Sequence, residues 1–164
     1  MKRQSVQQDL ESLDSLYKTL NVRAEKLYDF VYYFNNYMQE AKDYGTGNLI
    51  SMPEVHILTS IEHEPGVTIS ELAKKRNRTR SAISQTVKSL EKAGYIYKTK
   101  QESDNKKLLL YPTEQGKALS RAHKLYDITD ISNTTEALLK KCTIEDLDTF
   151  YRVLEIYLDL FLEK

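Results

Sequence analysis

The stretch TRSAISQTVKSLEKAG, residues 79 to 94, has the hydrophobic period of a helix closed at each end by its own signals. Thr79 is a helix-capping residue and Gly94 a helix stop. Ile83, Val87 and Leu90 fall on one face, whereas Ser81, Ser84, Gln85, Lys88 and Lys92 fall on the opposite face at steps of three and four. That second stripe is small, polar and basic, and it contains no acid. Such side chains enter a DNA major groove without collision: glutamine pairs with adenine edges, arginine with guanine, serine and lysine with phosphate. Upstream, Thr68-Ile-Ser-Glu71 is a capping box that predicts a short helix to about Lys75, and Asn77-Arg78 predicts a tight turn. A short helix, a turn and a helix with this stripe make a helix-turn-helix arrangement.

Charge points to the same segment. Between Lys74 and Lys107 eleven basic residues meet three acidic ones, a net charge of +8 in a chain whose total is zero. A cationic face on an otherwise acidic molecule favours a polyanion, because phosphate contacts release condensed counterions. A lysine-rich stretch can equally be plain solvated surface. Its coincidence with the groove-fitting stripe favours DNA.

Outward from the stripe, Tyr95 to Lys100 and Leu108 to Tyr111 are β-prone runs about a polar tip, Gln101 to Lys106, and predict a hairpin wing ended by Pro112. Ser51-Met-Pro-Glu54 opens a helix to about Glu64, and Val67 to Ile69 could add a short strand. Thr113 starts a fifth helix expected to reach Lys141, with a bend near Ser132-Asn133. Thr143-Ile-Glu-Asp146 caps a last one carrying Leu147, Phe150, Leu154, Tyr157 and Phe161. At the other end, Leu10, Leu13, Tyr17, Leu20, Ala24, Leu27, Val31, Phe34, Met38 and Ala41 form a helical seam, with Asn21 as a break that would set residues 1 to 20 apart, and Gly45 and Gly47 as its end. Two wide apolar helices are most simply buried by pairing with a second copy of the chain, which makes Leu13, Leu20, Leu27, Leu147, Phe150, Leu154 and Phe161 the candidate dimer contacts. The expected fold is mainly α: a winged helix-turn-helix lobe at 49–112 between dimerisation helices at 1–48 and 113–164.

The 164 residues suit one domain with appendages, and one cysteine, Cys142, excludes an internal disulfide. The segment MKRQSVQQDLESLDS lacks the apolar core of a signal peptide, and no run approaches a membrane span, so a cytoplasmic location is expected. No phosphate-binding glycine loop, nucleophile elbow or metal-ligand cluster is present, and an enzyme is not expected. The basic stripe has no interleaved aromatics for stacking unpaired bases, which disfavours RNA.

Taken together, Ile69-Ser-Glu-Leu-Ala73, the stretch 79 to 94, and the spacing from Gly94 to Asp104 and on to Thr113-Glu-Gln-Gly116 resemble the MarR family of dimeric winged-helix transcriptional regulators. The resemblance spans roughly Leu27 to Leu162. It implies a homodimer, two DNA-reading lobes and a palindromic operator, with Arg80, Ser81, Ser84, Gln85 and Lys88 facing the groove. Thr79, Arg78, Lys98, Lys106 and Lys107 complete the candidate DNA contacts. The wing departs from the family pattern: Asp104-Asn-Lys106 stands where Asp-x-Arg is usual, and lysine lacks the guanidinium fork that reads a narrow minor groove. Pro112 replaces the leucine expected before the threonine.

Members of such a family often sense a small molecule, a metal or an oxidant. Tyr28, Tyr32, Tyr33 and Tyr37, with His56, are the candidate pocket for an aromatic effector, against the simpler reading that these tyrosines only pack. No cofactor or metal is expected. His56 and His63 lie seven residues apart, about 10.5 Å along a helix and too far to share an ion; His63 with Glu62 or Glu64 and His123 is the lesser candidate. Cys142, near Lys140 and Lys141, offers a thiol redox-sensing alternative, although an inert thiol is the simpler reading. The other alternative is a winged-helix protein-interaction module whose cationic face binds an acidic partner. Such a surface needs aliphatic or aromatic anchors, which Ser81, Ser84, Gln85 and Lys88 do not supply.

Overall fold

In the computed structural model the described residues are 2–101 and 104–163, with side chains described for 12–100 and 108–163. The order is α1 (Lys2–Gln39), β1 (Ala41–Asp43), β2 (Leu49–Ser51), α2 (Met52–His63), α3 (Ile69–Lys75), α4 (Arg80–Lys92), β3 (Ile96–Gln101), β4 (Asp104–Pro112), α5 (Glu114–Leu139) and α6 (Ile144–Leu162). Among the described residues, no helix is long and apolar enough to cross a membrane.

Two expectations about helix continuity are corrected. Asn21 does not break the chain: α1 runs through it, and its side-chain amide donates to Glu25 one turn on. A single interior asparagine costs a helix less than about 1 kcal/mol, and no glycine or proline occurs between Lys2 and Gln39. For the same reason α5 continues past Ser132 and Asn133, ending at Leu139 rather than Lys141. A feature absent from the sequence reading is the antiparallel pair β1–β2, which joins Ala41 to Ser51 and Asp43 to Leu49. Its turn is built on Asp43, whose carboxylate accepts the N–H groups of Gly45, Thr46 and Gly47 at 2.9 to 3.0 Å. Gly45 and Gly47 take positive φ values of 87° and 74°, which make this turn accessible.

The capping signals are realised. Thr68 accepts the N–H of Glu71 while the Glu71 carboxylate accepts the N–H of Thr68, and Thr143 and Asp146 do the same for α6. Val55, Leu58 and Ile61 of α2 form the centre of the core, packed with Leu72, Ile83, Val87, Leu90, Leu110 and Leu119. The short strand expected at Val67 is a single bridge to Leu110, sealed by Gly66 N–H to Leu110 and Leu110 N–H to Val67 at 2.8 and 3.0 Å. It ties the wing to the start of α3. Beyond the core, Lys124 of α5 forms an ion pair with Glu62 of α2. Chiefly through that hydrogen bond, the Glu62 carboxyl is held below its ordinary pKa.

Where the wing returns to α5, Thr113 donates its hydroxyl to the Gly94 carbonyl and its N–H to the Tyr95 carbonyl, at 2.7 and 2.9 Å. The next turn brings Gly116 against the same segment, and a Cβ there would lie 2.0 Å from the Tyr95 oxygen. The end of α4, the root of the wing and the start of α5 are thus one packed junction.

Candidate nucleic-acid interface

Helices α3 and α4 meet through a turn whose hydrogen bonds fix their crossing. Arg78 N–H reaches the Ala73 carbonyl at 3.0 Å, and Asn77 N–H the Lys74 carbonyl at 3.3 Å. Asn77 has φ +46°, the left-handed conformation that asparagine tolerates better than most residues. Thr79 then accepts the N–H of Ala82 at 3.2 Å and starts α4. Ile83, Val87 and Leu90 are buried against the core, which turns the other face of α4 outward. Thr79, Arg80, Ser81, Gln85 and Lys88 are exposed there, with Ser84 half-buried beside them. Ser89 donates to Glu54 at 2.9 Å and pins α4 to α2.

The basic residues of the +8 segment divide into two groups. Arg76 is structural: its guanidinium donates to the Ser60 hydroxyl and the His56 carbonyl of α2. Lys75 pairs with Glu64. Lys98, a sequence candidate for DNA contact, turns back onto Glu91 at 2.5 Å with its side chain mostly covered, so its charge is spent inside the molecule. Arg78 in the turn and Arg80 and Lys88 on α4 remain exposed.

The wing pairs Ile96 with Pro112 through Lys100 with Leu108, shifting register between Lys100 and Gln101. Pro112 is the last residue of β4, as its missing N–H requires. Tyr97 and Tyr111 stack 5.6 Å apart across the hairpin and stiffen it. The side chains of Lys106 and Lys107, at the tip, lie outside the described residues.

The candidate effector residues do not share one place within the chain. Tyr28, Tyr32 and Tyr33 are exposed on α1. Tyr37 is half-buried, donates to Asp130 of α5 at 2.8 Å and stacks under the Lys42 ammonium. Burial first, and the Asp130 carboxylate second, hold its hydroxyl protonated far above the ordinary phenol range. His56 lines a cavity of about 250 Å³ with Met38, Pro53, Ile57, Arg76, Arg78, Ala82, Ile83 and Thr86, and none of the four tyrosines borders it. Cys142 is half-buried and its thiol donates to the Leu138 carbonyl at 3.2 Å.

Of the dimer candidates, Leu13, Leu20, Phe150 and Phe161 are exposed in the single chain, Leu20 by 64% and Phe161 by 67%, whereas Leu27 and Leu154 are half-buried. Leu147 is buried within the chain itself, at the first turn of α6.

One grouping escaped the sequence. His123 of α5 is 2% exposed and packs edge-on against Tyr44 and His56, at 4.9 and 5.0 Å between ring centres. Asp127, one turn along α5, lies beside both histidines. The partner His123 finds is therefore His56, not the His63 considered from sequence.

Comparison with known proteins bears on this architecture. Residues 50–108 match the MarR family model. An uncharacterised HTH-type transcriptional regulator, YhjH of Bacillus subtilis, is 32% identical over 85 residues, 51% of this chain and 48% of that protein. The chain thus spans about half the length of the curated relatives it matches. In structure, Streptococcus pneumoniae FabT in complex with DNA superimposes with a TM-score of 0.61 at 23% identity, covering 90% of this chain and 97% of that one. The zinc-responsive MarR family member ZitR of Lactococcus lactis gives 0.66 at 18% identity, covering 87% and 99%. The lobe built from α2, α3, α4 and the β3–β4 wing is a winged helix-turn-helix, and residues 50–108 within it match the MarR family.

Proposed function

We propose that the chain is a sequence-specific, double-stranded-DNA-binding transcriptional regulator, a repressor that works as a homodimer on a palindromic operator and is released by a small-molecule effector. The observation that carries this reading is the outward stripe of α4: Arg80, Ser81, Gln85 and Lys88 exposed, acid-free, and backed by buried Ile83, Val87 and Leu90. A groove-reading helix needs that combination, since the buried face sets the helix angle and the exposed face is short enough to enter the groove. Relatives named as HTH-type regulators, and a similar fold seen bound to DNA, agree with it.

Dimerisation follows from unspent apolar surface. The exposed leucines and aromatics of α1 and α6 make long apolar faces that a second copy would bury, with residues 1–48 and 113–164 as the pairing segments and 49–112 as the reading lobe. Two recognition helices about 34 Å apart would then meet successive major grooves, and an effector releases DNA by favouring a different spacing.

Arg80→Ala tests the base-reading role. If its guanidinium pairs with guanine, the substitution lowers affinity for the operator by about 1–3 kcal/mol while leaving non-specific binding nearly unchanged. Competition binding with operator and scrambled duplexes measures both; equal losses on the two would assign Arg80 to phosphate instead.

A further inference from the structure

The geometry points to a divalent-metal site of the zinc type formed by His56 on α2 with His123 and Asp127 on α5. Their donor atoms all lie within 4.8 Å of one another. Ligand bonds of about 2.0–2.1 Å place the donors of a tetrahedral zinc about 3.3 Å apart. His123 Nε2 and Asp127 Oδ2 are 3.3 Å apart, and His56 Nε2 lies 3.8 Å from the same oxygen, so capture of an ion needs side-chain adjustments of about an ångström.

Further observations favour a ligand over ordinary packing. His123 is almost completely buried, yet neither ring nitrogen has a hydrogen-bond partner. Leaving a buried polar group of this kind unsatisfied is unfavourable, and coordination would offset that cost. The rings of His56 and His123 are held by neighbours: Tyr44 packs edge-on against His123 and is itself braced by Tyr126. Burial, the largest influence on both histidines, lowers their pKa values against the opposing pull of Asp127. Asp127 supplies the negative charge, needed because the Arg76 guanidinium is bound to the His56 carbonyl and Lys124 follows His123 in sequence. His56 is partly open to solvent, which gives the ion an entry and leaves a fourth position for water.

An ion here would clamp α2 to α5. Because α2 is pinned to α4 through Glu54 and Ser89, and α5 leads toward α6, the clamp would set the DNA-reading lobe against the pairing helices. That consequence rests on the proposed DNA-binding function, whereas the site itself does not.

Titrating the full-length, DNA-free protein with Co²⁺ tests the site. The expected result is visible d–d absorption saturating at one Co²⁺ per chain and displaced by Zn²⁺, with affinity reduced about 100-fold or more in His56→Gln and in Asp127→Asn. Both residues are partly exposed, so these variants avoid the folding risk of His123 substitutions, and circular dichroism verifies their fold. Absence of the bands in wild type, or wild-type binding by both variants, overturns the site. Anisotropy on operator DNA tests the clamp separately: Zn²⁺ should shift the affinity of wild type but not of Asp127→Asn. If Co²⁺ binds and DNA binds but Zn²⁺ changes nothing, the clamp is overturned. If no DNA binds at all, the functional reading fails while the metal site stands on its own titration.

Discussion

Gly116→Ala is expected to destabilise the protein by about 3 kcal/mol, a fall of roughly 10 °C in Tm. The expectation runs against helix propensity, which by itself would favour alanine by about 1 kcal/mol at an open helical position. Here the new methyl would meet the Tyr95 carbonyl oxygen at 2.0 Å and Leu58 at 3.2 Å. Leu58 can turn aside, but the Tyr95 oxygen is backbone and already accepts the Thr113 N–H. Relief therefore requires moving the root of the wing away from α5, breaking the Thr113 contacts and opening the core at Tyr95 and Ile96. Thermal melts of the two proteins decide it, and a raised Tm would show that the junction is looser than its contacts imply. Because the junction also aims the wing, DNA affinity should fall even at temperatures where the variant remains folded.

The second large effect concerns charge. Reversing Arg78, Arg80 and Lys88 together to glutamate should reduce DNA affinity by at least about 10³-fold at moderate salt, because three attractive phosphate or base contacts become repulsive. All three side chains are exposed, so the fold should survive. Reversing Arg121, Lys140 and Lys141, which are also exposed, changes net charge equally and is the control. Comparable losses in the two triple variants would mean that overall charge, rather than the face of α4, drives binding. The wild-type salt slope should be steep and the α4 variant's shallow.

Much of this architecture is legible in the chain because it is written locally. Capping pairs such as Thr68 with Glu71 and Thr143 with Asp146 mark helix starts within four residues, and the three- and four-residue spacing of Ile83, Val87 and Leu90 sets the outward face of α4. What escapes depends on distance or on shortness. Strands of three residues, as in β1 and β2, are too brief to show alternation. The turn from Lys98 onto Glu91 crosses from strand to helix, so a residue that reads as a free cation is paired in the fold. The approach of His123 to His56 depends on how α5 crosses α2, which no local spacing encodes; the i,i+4 relation of His123 and Asp127 was the one visible part of that grouping. Asn21 misled for the opposite reason, since a weak local preference was outweighed by the helical seam on both sides.

The most direct test of the DNA-binding claim is fluorescence anisotropy of the purified protein on labelled duplex from immediately upstream of its own gene, against a scrambled duplex, across a salt series. The account predicts tight binding that prefers the native fragment and weakens steeply with salt. Weak binding of equal strength to both fragments would contradict a sequence-reading role for the α4 face at that operator and leave only non-specific electrostatic attraction.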